Sequence, residues 1–157
     1  MTDPSMKAGV LALYRAPGVE PGLLQLQDAH GVSIPLLLWA GWLGTRSVTL
    51  AQLPEAELRH LLGWEKQTVG PLRSLRRRLK AELEDQPSLA ALREQIKACE
   101  QQAEWWLLQQ LAALPLETGE LCPLTLCLRF AGIDECEPIG ALRAAIGARL
   151  NSQQQVS

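Results

Sequence analysis

The run Ile34-Pro35-Leu36-Leu37-Leu38-Trp39-Ala40-Gly41-Trp42-Leu43-Gly44-Thr45 constrains this chain more than any other stretch. At 100° per residue its leucines and tryptophans point all round a helix axis. A helix that is apolar on every side has to be buried on every side. The run falls well short of the roughly 20 apolar residues that cross a bilayer. It therefore predicts a buried central helix, Ile34 to Thr45, surrounded by other helices of the same chain. Ser33 is placed to cap that helix and Pro35 suits its first turn. Gly41 would let a neighbour approach closely.

The rest of the chain supplies those neighbours. A first helix is expected over Ser5 to Arg15, capped by Ser5, before Ala16-Pro17-Gly18 breaks the chain. A second runs from Val19 to His30, with Val19, Leu23, Leu26 and His30 on one face and Gly31 at its end. Thr49-Leu50-Ala51-Gln52 reads as a capping box for a fourth helix reaching Leu62, with Pro54 in its first turn and Gly63 closing it. A fifth covers Trp64 to Glu84, with a kink or restart at Gly70-Pro71 and a narrow stripe of Leu72, Leu75, Leu79 and Leu83.

A long sixth helix follows from Leu89 to Leu114. Leu92, Ile96, Cys99, Ala103, Trp106, Leu107 and Leu111 share its apolar face, and it should pair with the fifth as an antiparallel hairpin. Leu116 to Phe130 is apolar but interrupted by Pro123, and reads as an extended segment on the bundle. Asp134 to Leu150 forms a last helix with Ile139, Leu142, Ile146 and Leu150 inward, and the Gln-rich tail 151–157 is expected to be disordered. The expectation is an all-α fold: a single-domain bundle of six to seven helices over residues 1–150, with the hairpin at 64–114. A chain of 157 residues with 47% hydrophobic content can build such a core alone.

Several of these pieces resemble a small bacterial family of unknown function. They are Val10-Leu11-Ala12-Leu13-Tyr14, Pro17-Gly18-Val19, Leu24-Gln25-Leu26-Gln27-Asp28 with Gly31, the leucine run closing in Trp42-Leu43-Gly44, and Trp64 followed by Gly70-Pro71-Leu72-Arg73 and Arg76-Arg77. The resemblance covers residues 8 to 85. The family's pattern places Asp and Asn before the leucine run, where this chain has Ser33 and Pro35. The substitution keeps a helix cap and removes a polar pair. The resemblance implies no activity and brings no catalytic residues.

Composition and spacing narrow the chemistry. The opening Met1-Thr2-Asp3-Pro4-Ser5-Met6 lacks the basic and apolar regions of a secretory leader, so a cytoplasmic location is expected. Cys99, Cys122, Cys127 and Cys136 form no Cys-x-x-Cys knuckle, and the two histidines are remote, so no metal is expected. Four free thiols, mostly buried, are the simpler reading. No phosphate loop, nucleophile elbow or His-Glu-x-x-His appears, and no cofactor is called for.

Three groups remain as candidates. Between Arg59 and Lys80 stand seven Lys or Arg and one acid, Glu65, in a chain of net charge −2. Arg73, Arg76, Arg77 and Lys80 fall within about a third of the helix circumference, a face able to grip phosphates or carboxylates. The competing reading is a solvated face neutralised by nearby acids. Second, five of the seven aromatic residues are Trp. Trp39, Trp42 and Trp64, with His30, could line an internal pocket, or the tryptophans could be core packing. Trp105 falls about 160° from Leu89, opposite the apolar stripe, so either another element covers it or it is an exposed anchor for a partner. Third, Asp28 and His30 are two apart on a helix and point in different directions, so they make no catalytic dyad.

The sequence thus favours a non-enzymatic binding or adaptor domain that meets an acidic protein or nucleic acid through Arg73, Arg76, Arg77 and Lys80. A Trp-lined binder of small or lipid-like molecules is the alternative, and an uncharacterised enzyme is third.

Overall fold

A computed structural model describes residues 4–156 of the chain. Met1–Asp3 of the segment read for a leader, and Ser157 of the tail, lie outside the described residues. The fold is all-α, with seven α-helices and no strand among the described residues. The helices are α1 (Pro4–Tyr14), α2 (Val19–His30), α3 (Ile34–Thr45), α4 (Glu55–Glu82), α5 (Ala90–Ala112), α6 (Pro123–Ala131) and α7 (Glu137–Gln155). One turn of 3-10 helix, Pro87–Leu89, leads into α5. The chain divides into two compact units: Met1–Glu55 together with Leu114–Ser157, and Ala56–Ala113.

In the first unit α3 is the centre, as its composition requires. α1, α2, α6 and α7 all pack against it. Ten of its residues are buried, from Ile34 through Thr45, with Trp42 and Gly44 half-buried. The Ser33 hydroxyl accepts from the Leu36 backbone N–H at 3.2 Å, and Pro35 sits in the first turn. This is the capping role read from the sequence. Gly41 lets Leu13 of α1 and Leu142 and Ile146 of α7 approach: a β-carbon there would lie 3.2 to 3.6 Å from their methyl groups. Gly22 does the same for α2 against Pro138 of α7.

Several boundaries differ from expectation. α1 begins at Pro4, so Ser5 lies inside it and is not its cap. Met6, with Val10 and Leu13, forms its buried side. The box at Thr49 to Gln52 caps no helix. The Thr49 hydroxyl donates to the Gly119 carbonyl, the Gln52 amide donates to the Glu117 carboxylate, and Leu50 exchanges both backbone hydrogen bonds with Leu121 at 2.9 Å. The polar side chains serve a long-range pairing of two loops, which a local pattern cannot show.

The segment expected to be extended from Leu116 is so only as far as Cys122. Pro123 then starts α6 at a position where its missing N–H costs nothing, and Gly132, at φ 69°, ends it. Leu124, Cys127 and Leu128 of α6, and Ile139, Leu142 and Ala145 of α7, complete the core. α7 starts later than expected, at Glu137, and continues through the glutamine run to Gln155.

The second unit is the helical hairpin. Its first arm is longer than predicted, because the expected fourth and fifth helices are one helix, α4, passing through Gly63 and Gly70-Pro71. No restart occurs at Pro71. A proline normally clashes with the β-carbon of the residue before it when that residue is helical. Gly70 has no β-carbon to meet the ring, so the helix passes through the proline. Leu58, Leu61, Val69 and Leu79 form the buried side of α4. On α5 the buried side is Glu100, Leu107, Leu108 and Leu111. Cys99 and Leu92 of the predicted stripe are exposed, and Trp106 is 41% exposed. Glu100 lies on the inner face in their place.

Candidate interaction surface

The antiparallel pairing of α4 and α5 sets charges from the two arms against each other. Contacts that step up α4 step down α5. Trp64 meets Trp106 with ring centroids 4.3 Å apart and planes tilted by 44°, and further along Arg73 and Arg76 meet Glu100. Glu100 is 4% exposed. Its carboxylate accepts from Arg73 Nε at 3.2 Å, from Arg76 Nε at 2.5 Å and from Arg76 Nη2 at 3.4 Å. The hydrogen bond to Glu100 raises the Arg76 guanidinium above its ordinary value, against the opposing effect of burial. A carboxylate this deep is tolerated because it is paired and hydrogen-bonded.

Glu104, one turn along α5, is served less well. It lies 3.6 Å from Arg73 Nη2. Burial pushes its carboxyl up to about 7, with the like charges of Glu100 and Glu65 adding to the push and Arg73 opposing it.

The four residues of the predicted basic face therefore divide. Arg73 and Arg76 turn half-buried into the hairpin, and their charge is used on Glu100 and Glu104. Arg77 and Lys80 are exposed. So are Arg59 and Lys66 on the same helix. Arg59, Lys66, Arg73, Arg77 and Lys80 lie within about 60° of one another at 100° per residue, on a ridge about 31 Å long at 1.5 Å rise per residue. Arg78 lies on another side, with Glu82 one turn away at 3.6 Å. Glu100 and Glu104 were not among the expected site residues. Their sequence signal is two acids four apart on the arm predicted to run antiparallel to Arg73 and Arg76.

The tryptophans are placed differently from expectation. Trp105 is half-buried, and Trp106 is the more exposed neighbour, stacked on half-buried Trp64. In the first unit Trp39 is buried at 1%, and its indole N–H has no hydrogen-bond partner among the described residues. Trp42 is half-buried against Gly9 of α1, under the Arg46 guanidinium at 5.1 Å. His30 is exposed at the last position of α2, where the helix dipole favours a cation, so it does not line the interior beside Trp39.

A second polar cluster lies in the first unit and has no counterpart in the sequence expectations. Arg143 of α7 donates to both oxygens of Glu135, to the Thr125 hydroxyl at 3.1 Å and to Cys122 Sγ at 3.8 Å. Burial pushes the Cys122 thiol up, but the backbone and hydroxyl of Thr125, the Arg143 guanidinium and the Leu124 backbone together outweigh it and hold the thiol below its ordinary value. Cys127, within α6, is buried, and that burial pushes its thiol up to about 12. The thiols are free but not mostly buried: Cys99 and Cys122 are exposed and Cys136 is intermediate. Among the described residues no three His, Cys, Asp or Glu side chains converge as metal ligands, and no helix is long and apolar enough to cross a membrane.

An all-α protein with a charge-paired hairpin is the class these observations define. The family model described as "Protein of unknown function (DUF2390)" matches residues 8–111, and the chain belongs to that family. No curated protein and no solved structure matches it.

Proposed function

We propose that this protein is a non-enzymatic binding module that meets an acidic protein surface through the basic ridge of α4. The observation that carries the reading is the alignment of exposed Arg59, Lys66, Arg77 and Lys80 with Arg73 along one side of a single long helix. Guanidinium and ammonium groups at these spacings can engage carboxylates placed along an extended or helical partner. The hairpin already pairs Arg73 and Arg76 with carboxylates, so the partner would repeat a recognition that the fold uses internally. An acidic protein is favoured over nucleic acid because no nucleic-acid-binding motif accompanies the ridge.

The test is binding of a rhodamine-labelled oligo-aspartate peptide, followed by anisotropy, beside a single-stranded oligonucleotide of equal charge. The peptide should bind, weaken as salt rises from about 50 mM to about 200 mM, and lose at least about tenfold in affinity on joint Arg77→Glu and Lys80→Glu substitution. Peptide binding that survives both the salt and the double substitution overturns the reading. Tighter binding of the oligonucleotide moves it to nucleic acid.

A further inference from the structure

We propose that Glu104 is a proton-operated shutter on Arg73. When ionised it holds the Nη2 edge of that guanidinium, and when protonated it yields that edge to an acidic partner on the α4 ridge. The inference rests on the ridge reading above and adds its regulation.

The geometry supplies the asymmetry that a shutter needs. Glu100 and Glu104 lie one turn apart on α5 and share Arg73. Glu100 takes the close contacts, from Arg73 Nε and from both Arg76 Nε and Nη2. Glu104 is left with Arg73 Nη2 at 3.6 Å. The groups that face Glu104 are Arg73 and Glu65 of α4 and Glu100 of its own helix. Two carboxylates beside it and one shared guanidinium leave its charge less compensated than that of Glu100. Burial adds to this and pushes its carboxyl up to about 7, so the proton moves within the neutral range. Arg73 belongs to the same ridge as Arg59, Lys66, Arg77 and Lys80, so loss of the Glu104 charge adds one positive charge to that ridge. Because coupling is reciprocal, a bound acidic partner would in turn hold the proton on Glu104 more tightly.

Two measurements test this, one of them free of any partner. The first follows the Glu104 side-chain carboxyl by carbon NMR across pH in the intact protein. A midpoint near neutrality is expected, and a midpoint in the ordinary range near that of free glutamate overturns the shutter whatever the peptide does. The second measures oligo-aspartate affinity at about pH 8 and about pH 6, a range in which aspartates stay ionised. Affinity should rise at least threefold on acidification in the wild type. Glu104→Gln should bind tightly at both pH values, and Glu104→Ala should do the same if the glutamine variant proves poorly folded. His60→Gln, on the same helix as Arg73, is run in parallel as a control and should keep the pH dependence. Binding that is equal at the two pH values in the wild type sinks the shutter and leaves the ridge standing. No peptide binding at either pH sinks the ridge itself, and the coupling with it.

Discussion

Glu104 and Cys122 are residues whose surroundings oppose their ordinary charge state, in opposite senses. The Glu104 carboxyl is pushed up to about 7 in the folded protein. The folded state thus holds a proton that the unfolded chain releases near pH 4.3, and stability falls as pH rises from there to about 7. Above that range the cost is complete. Glu104→Gln removes it. Each tenfold change in proton affinity is worth about 1.4 kcal/mol, so the variant should gain roughly 1–3 kcal/mol at pH 8 and almost nothing near pH 4. Urea unfolding at the two pH values checks this, and an equal gain at both would contradict it. Cys122 is exposed and its thiol is held below the ordinary value, whereas Cys127 is buried with its thiol pushed up to about 12. Since the thiolate is the nucleophile, iodoacetamide near neutral pH should label Cys122 readily and Cys127 only on unfolding. Arg143→Ala should slow the Cys122 reaction, as read by peptide mass mapping. Little of this was legible in the sequence beyond the spacing of Glu100 and Glu104. Cys122 caps α6 and Arg143 lies on α7, and Glu100 reads as a surface acid until Arg73 and Arg76 are seen to reach it. Trp106, which its place on the predicted apolar stripe of α5 turns inward, is 41% exposed instead.

At the scale of the element, α4 and the Leu50–Leu121 pairing each depend on a glycine. Pro71 interrupts the backbone ladder of α4 without ending the helix, and Gly70 before it has no β-carbon to clash with the ring. Pro71→Ala should therefore restore one backbone hydrogen bond and raise stability by about 1–3 kcal/mol, seen as a higher Tm. Gly119 has no such freedom. A β-carbon there would lie 2.5 Å from Ala51 Cα and 2.8 Å from the Leu50 carbonyl carbon, and closer still to the Ala51 nitrogen. Backbone cannot yield as a flexible side chain can, so Gly119→Ala should cost more than about 2 kcal/mol and open the pairing, with faster amide exchange at Leu50 and Leu121. Arg76→Ala removes two of the three hydrogen bonds that the buried Glu100 carboxylate accepts, leaving it Arg73 alone, and should cost about 3 kcal/mol, part of it recovered when Glu100→Leu is added. Helices with strong local signals, α2 and α3, were read with their observed bounds. Gly18, Gly31 and the Ser33–Pro35 cap mark them within a few residues. The Thr49 box failed because its hydroxyl is used 70 residues away.

The whole molecule has a boundary that the family match does not share. The match ends at Leu111, inside α5, yet the first unit takes α6 and α7 from beyond it. α3 is apolar all round, and α6 and α7 both lie against it. The sequence made this requirement plain without showing which later segments meet it, because Leu116 to Phe130 has no clear helical period. Ending the chain after Ala113 would uncover the partners of Leu124, Leu128, Ile139 and Leu142, all buried in the intact fold. At roughly 1.5–3 kcal/mol for each such side chain, the loss reaches the 5–15 kcal/mol that holds an ordinary domain together. The truncated chain should therefore lose cooperative melting and aggregate or bind a hydrophobic dye. Adding the segment 114–157 in trans should restore part of its helicity. Circular dichroism melting and gel filtration decide the matter. A monomeric 1–113 chain with an unchanged Tm would mean that the matched region supports α3 without them, and that α6 and α7 are additions to a fold already complete.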